Sequence, residues 1–129
     1  MGYYDMNKEE RQKFIHKMGD ELTSELKSGK TNIIIKYSSD DDVYIRKNVS
    51  TILGRMYRDQ GIFKEEIIQV MGELLKNDNE KVRQTAVYLA GKIGKKDAWC
   101  FAVSDHANTF VLSYKPESME WMLDEVQGI

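Results

Sequence analysis

Chemistry at a protein surface needs reactive side chains that can converge, and this chain offers few. His16 and His106 are its only histidines and lie 90 residues apart. Neither belongs to a metal-ligand pattern such as His-Glu-x-x-His. The single cysteine, Cys100, stands between Trp99 and Phe101, which suits a buried apolar thiol better than a nucleophile. It has no second cysteine for an internal disulfide or a zinc cluster. The acidic run Asp40-Asp41-Asp42 suggests calcium, but an EF-hand loop starting at Asp40 would need Gly where Ile45 stands and Glu where Thr51 stands. A helix-capping acidic turn fits better. Gly91-Lys92-Ile93-Gly94 lacks the preceding strand and the spacing of a phosphate loop. No catalytic residue, metal or cofactor is therefore assigned.

The residues that do group are basic. Lys47, Thr51, Arg55 and Arg58 fall on one polar face of a helix. Thirty-seven residues on, the same positions are Gln84, Tyr88, Lys92 and Lys95, with Lys96 adjacent. Stacking two such helices sets Arg55 beside Lys92 and Arg58 beside Lys95, forming a basic ridge with one aromatic, Tyr88. The expected binding residues are Lys47, Arg55, Arg58, Tyr88, Lys92 and Lys95.

The offset of 37 comes from an internal repeat. Ile45-Arg46, running to Leu53-Gly54, matches Val82-Arg83, running to Ala90-Gly91; Asp41 matches Asp78, and Met56 matches Ile93. Weaker copies lie upstream (Arg11, Phe14, Met18, Gly19) and downstream (Met119, Glu120, Leu123, Val126, Gly128). Degenerate outer copies are what an array needs, because end units face water.

Each unit reads as helical. Asn7 with Glu10 forms a capping-box pattern ahead of an apolar stripe of Phe14, Ile15, Met18, Leu22 and Leu26, which Gly29 stops. Asp42 precedes a helix with Ile45, Val49, Ile52, Leu53 and Met56 inward, broken by Gly61. A helix over 64–76 follows, with Ile67, Ile68, Met71, Leu74 and Leu75 apolar. Asn77-Asp78-Asn79 then caps a helix that runs to about Ile93, burying Val82, Ala86, Leu89, Ala90 and Ile93, with Gly94 at its end. The β-branched stretch 33–37 has strand propensity, but its place in the repeat demands a short helix. Helices are also expected over 98–114 and over 117–126, the latter with Pro116 at its first turn.

The run Leu74-Leu75-Lys76-Asn77-Asp78-Asn79-Glu80-Lys81-Val82-Arg83-Gln84-Thr85-Ala86, continuing to Leu89-Ala90-Gly91, resembles a HEAT-type repeat. Asp40-Asp41-Asp42 before Val43-Tyr44-Ile45-Arg46 makes a second copy, departing from the pattern at Ile45 and Val49. The likeness covers about 33–94 well and the ends poorly. It implies an all-α, armadillo-type fold: a right-handed α-α superhelix, or short solenoid of antiparallel helix pairs. The expected organisation is one domain over 1–129, with its best repeats at about 33–60 and 62–94. In such arrays the turn Asp and the Arg form a polar ladder between units. That implies structural roles for Asp41, Arg46, Asp78 and Arg83. Second helices of successive units line the concave face where partners dock, so the ridge falls there.

Composition is consistent with this reading. Hydrophobic residues make up 41% and charged residues 31%, a balance that fits a folded protein and argues against disorder. No apolar run reaches the ~18–20 residues of a membrane span, and Met1-Gly2-Tyr3-Tyr4-Asp5-Met6 is no signal peptide. A lone cysteine points to the cytoplasm. Charge is uneven: residues 43–96 carry 11 basic and 6 acidic side chains, while 97–129 carry 1 basic and 6 acidic, an asymmetry that suits complementary packing between neighbouring segments, or else an acidic partner. A scaffold binding an acidic protein or peptide on the ridge is the leading expectation. The alternative is nucleic-acid binding, as in alkylpurine DNA glycosylases built from HEAT-like repeats. A third reading is an architectural piece that self-associates through end caps bearing Met119, Trp121 and Met122.

Overall fold

The computed structural model describes residues 2–93, and all of its regular structure there is helical. A 3₁₀ turn, Tyr3–Asp5, leads into α1 (Lys8–Ser28), α2 (Asn32–Ser38), α3 (Val43–Arg55), a π-helical turn (Met56–Gln60), α4 (Lys64–Leu75) and α5 (Glu80–Ile93). No strand occurs among the described residues. The expected helices over 98–114 and 117–126, and the end-cap residues Met119, Trp121 and Met122, lie outside them.

Local chemistry sets the helix ends. Asn7 Oδ1 accepts the Glu10 N–H at 2.8 Å and Glu10 Oε1 accepts the Asn7 N–H at 3.0 Å, so the expected capping box is formed. At the other end Gly29 adopts φ 71°, a left-handed conformation that costs glycine little. The Lys30 N–H then reaches the Glu25 carbonyl at 3.0 Å and the Gly29 N–H the Leu26 carbonyl at 3.4 Å, which is a Schellman closure. Helix α2 forms despite Ile33, Ile34 and Ile35 because its first turn is capped from α1. The buried Glu25 side chain accepts the Ile33 N–H at 2.6 Å, replacing the cap that Thr31 does not make.

The two turns before α3 and α5 use one hydrogen-bond scheme at offset 37. The Asp42 N–H donates to Asp40 Oδ1 at 2.8 Å, and the Tyr44 N–H to Asp42 Oδ1 at 2.9 Å. The Asn79 N–H donates to Asn77 Oδ1 at 2.9 Å, and the Lys81 N–H to Asn79 Oδ1 at 2.8 Å. Aspartate and asparagine are interchangeable here because only an acceptor oxygen is needed. The acidic run Asp40-Asp41-Asp42 thus works as a turn.

One continuous core joins the helices. Met18, Leu22 and Leu26 of α1 meet Ile34 of α2, Val49 and Leu53 of α3, Ile67, Met71 and Leu74 of α4, and Val82, Ala86, Leu89 and Ile93 of α5. Phe14, from the front of the α1 stripe, is only partly buried against that core. The tightest approach is between α3 and α5. A Cβ built on Gly54 would lie 2.5 Å from Lys92 Cβ, so glycine is what lets the two backbones meet. Gly19, which stands in the weaker upstream copy of the repeat, has nothing within 4 Å of such a Cβ. The first unit lacks the close approach that Gly54 marks.

Helix α3 ends unusually. The backbone widens into the π-helical turn, and Gly61 at φ 64° closes it. The Ile62 N–H then returns to the Met56 carbonyl at 2.9 Å. Phe63 follows at φ 54°, a left-handed conformation rare for a side chain of its size. Its ring packs against the core, which is what holds it there.

Candidate protein-docking face

Helices α3 and α5 lie side by side, and their outward residues are those the repeat offset pairs. Lys47, Arg55, Arg58 and Lys92 are exposed, and Tyr88 is half-buried. Lys47 Nζ stands 5.6 Å from the centre of the Tyr88 ring, within reach of a cation–π attraction. Arg58, on the π-helical turn, donates from Nη1 to the Lys92 carbonyl at 3.3 Å. The sequence sets Arg58 beside Lys95, whereas the structure brings it to Lys92; Lys95 lies outside the described residues. Arg55 directly follows Gly54, the residue against which Lys92 packs. Four cations and one aromatic ring therefore sit on one helix pair and the π-helical turn that extends α3.

Beneath this face a polar seam fixes α3 against its neighbours. Arg46 is only 7% exposed. Its Nη1 donates to the Asp40 carbonyl at 2.6 Å and to the Asp41 carbonyl at 3.2 Å, and its Nη2 to Gln84 Oε1 at 3.0 Å. Arg83 repeats the scheme, donating from Nη1 to the carbonyls of Asn77 at 2.9 Å and Asp78 at 2.8 Å. Each arginine thus holds the carbonyls of its own turn. The link from Arg46 to the next unit runs to an amide, Gln84, where a carboxylate is expected. Asp41 and Lys81 form the charged link between units. The hydrogen bond from Lys81, reinforced by its charge, holds the Asp41 carboxyl below the usual carboxylate range. Deeper in, Ser50 Oγ donates to the Thr85 carbonyl at 3.1 Å and Thr85 Oγ1 to the Ser38 carbonyl at 3.0 Å.

Sequence reasoning missed Lys81, Ser50 and Thr85 as links, and it saw Gln84 only as the counterpart of Lys47. It also missed an aromatic cluster at the N-terminal edge. The Tyr4 and Tyr44 rings meet edge to face at 4.5 Å, and Tyr3 stacks on Tyr44 at 6.5 Å. The Arg11 guanidinium lies 5.1 Å from the Tyr4 ring centre and 5.9 Å from that of Tyr3. The adjacent Tyr3-Tyr4 pair was the only signal for it. Among the described residues no three His, Cys, Asp or Glu side chains gather into a metal-sized cluster. No helix there is long and apolar enough to cross a membrane.

Packed helices carrying a repeated turn define a helical-repeat protein of the HEAT-like class. Residues 12–126 match the model of the family described as non-SMC mitotic condensation complex subunit 1, and the chain belongs to that family. Membership of a family of complex subunits makes it a helical scaffold with protein partners. Comparison with the curated proteins and with the solved structures gave no match.

Proposed function

We propose that this scaffold docks an acidic protein surface on the α3–α5 face through Lys47, Arg55, Arg58, Tyr88, Lys92 and Lys95. In this reading the chain is one domain over 1–129, a short right-handed superhelix of HEAT-like units with degenerate ends. Asp41, Arg46, Asp78 and Arg83 hold the units in register and do not touch the partner. The observation that carries the reading is the convergence of four exposed cations on α3, α5 and the π-helical turn, with the two helices locked together at Gly54 and Lys92. Such a cluster raises the local concentration of an acidic partner and orients its approach. The family description supports a protein as that partner, since a subunit of a complex works by contact with other proteins. One cysteine in the whole chain suits a reducing compartment such as the cytoplasm.

The test is a titration with polyglutamate, duplex DNA and single-stranded DNA at two salt concentrations, on the natural chain and on Arg55→Glu with Lys92→Glu. Polyglutamate should bind at low salt, weaken as salt rises and be lost in the double variant, with the oligomeric state unchanged. Tighter, steeply salt-dependent binding of DNA would put the nucleic-acid reading in its place. No binding of any polyanion would remove the face from consideration.

A further inference from the structure

A cleft of about 380 Å³ opens between the 3₁₀ turn and the start of α1, lined by Tyr3, Lys8, Arg11, Gln12, Ile15 and His16. Arg11 makes three contacts there. Its Nη1 donates to the Met6 carbonyl at 3.0 Å, and its guanidinium lies over the Tyr3 and Tyr4 rings. Neither a carbonyl nor a ring face neutralises a guanidinium. Among the described residues no carboxylate comes within ion-pair distance of Arg11. Carboxylates at this end of the chain are engaged elsewhere: Asp5 accepts the Gly2 N–H, Glu10 the Asn7 N–H, Asp42 the Tyr3 and Tyr44 N–H groups, and Glu9 pairs with Lys13. The charge of Arg11 is thus preorganised, half-buried and unmet, next to the exposed Lys8.

We infer that this cleft takes a carboxylate side chain of a protein partner, with an adjacent apolar side chain lying against Tyr3 and Ile15. A guanidinium already fixed in place loses little freedom on binding and matches a carboxylate with two parallel donors. The occupant is a peptide and not a nucleic acid because Tyr3 and Ile15 give the cleft an apolar wall beside Lys8 and Arg11, which suits a carboxylate next to an apolar side chain. The site is separate from the α3–α5 face and does not depend on it.

The experiment uses the full chain, isotopically labelled, titrated with the blocked dipeptide acetyl-Phe-Asp-amide and followed by amide shifts. Saturable shifts at Tyr3, Arg11, Gln12 and Ile15 are expected, with acetyl-Phe-Asn-amide giving none. Arg11→Gln should weaken binding by about tenfold or more. Arg11→Lys should restore part of the loss, because it keeps charge but not the fork. Arg55→Glu with Lys92→Glu should leave these shifts unchanged, so failure here and failure of the proposed docking face are told apart. Equal binding of the Asn dipeptide would overturn the assignment, as would an unaltered affinity in a folded Arg11→Gln chain. A short single-stranded DNA shifting the same amides more strongly would overturn the choice of a peptide.

Discussion

Arg46 on α3 donates to Gln84 on α5 at 3.0 Å while its other terminal nitrogen holds two carbonyls of the turn before α3. One side chain therefore closes its own unit and ties it to the next. This matters for function because the exposed cations of α3 and α5 form one surface only while the two helices keep their register.

A double-mutant cycle should register the tie. Arg46→Ala, which removes the donor from two part-buried carbonyls and from Gln84, should cost about 1–3 kcal/mol. Gln84→Ala should cost less, and the pair should show a coupling of about 1 kcal/mol or more by denaturant unfolding. Arg46→Lys should recover little, since an ammonium cannot span three acceptors in a fixed plane. A coupling of zero would mean that Arg46 serves its own turn alone.

Two glycines in helix interiors should respond oppositely to alanine. At Gly19 the added methyl group meets open space, so Gly19→Ala should stabilise by about 0.5–1 kcal/mol through helix propensity. At Gly54 it meets Lys92 Cβ, close to the backbone, and Gly54→Ala should destabilise by about 1–3 kcal/mol as α3 and α5 separate. Thermal unfolding of both variants decides the point. Equal gains at the two sites would contradict the close approach.

How far the sequence could be read is plain from these same positions. The offset of 37 between Arg46 and Arg83 located both turns, because the pattern needs only residue types at fixed spacing. Helix 33–37 was legible from its place in the repeat, yet its cap was not: Glu25 lies eight residues upstream and on another helix. The partner of Arg46 was misjudged for a related reason. Spacing says that an arginine stands near a turn, but not whether the carboxylates or the carbonyls of that turn face it. Asp40 and Asp42 spend their carboxylates on N–H groups, leaving the carbonyls for Arg46. The Tyr3, Tyr4 and Tyr44 cluster joins segments about 40 residues apart, and no periodicity announces such a contact.

The acidic turn should matter for stability through its cap. Asp42 accepts the Tyr44 N–H at 2.9 Å and also the Tyr3 N–H from the 3₁₀ turn. Asp42→Ala should cost about 1–2 kcal/mol and expose the half-buried Tyr3 to quenchers of tyrosine fluorescence. Asp42→Asn, which keeps an acceptor, should lose much less.

Stability should fall at high pH through Tyr37. Burial, with the hydrogen bond from its hydroxyl to Glu21 at 3.0 Å and the charge of that carboxylate, pushes Tyr37 up to about 12 from its usual 10.0. The folded chain therefore holds this proton more tightly than the unfolded one. The contribution is complete below pH 10 and is lost as pH rises from 10 to 12. Tyr37→Phe should flatten that part of the curve of unfolding free energy against pH. For Asp41 the sign is reversed: its lowered pKa gives a contribution present above the ordinary carboxylate range and lost as pH falls through its folded value. Lys81→Met should remove that acid-side loss.

The most direct test of the docking face is to map polyglutamate on the isotopically labelled chain by amide shifts at low and high salt. The account predicts shifts concentrated at Lys47, Arg55, Arg58, Tyr88 and Lys92, fading as salt rises and absent from the outer side of α4. Shifts that spare α3 and α5 and gather elsewhere would contradict it.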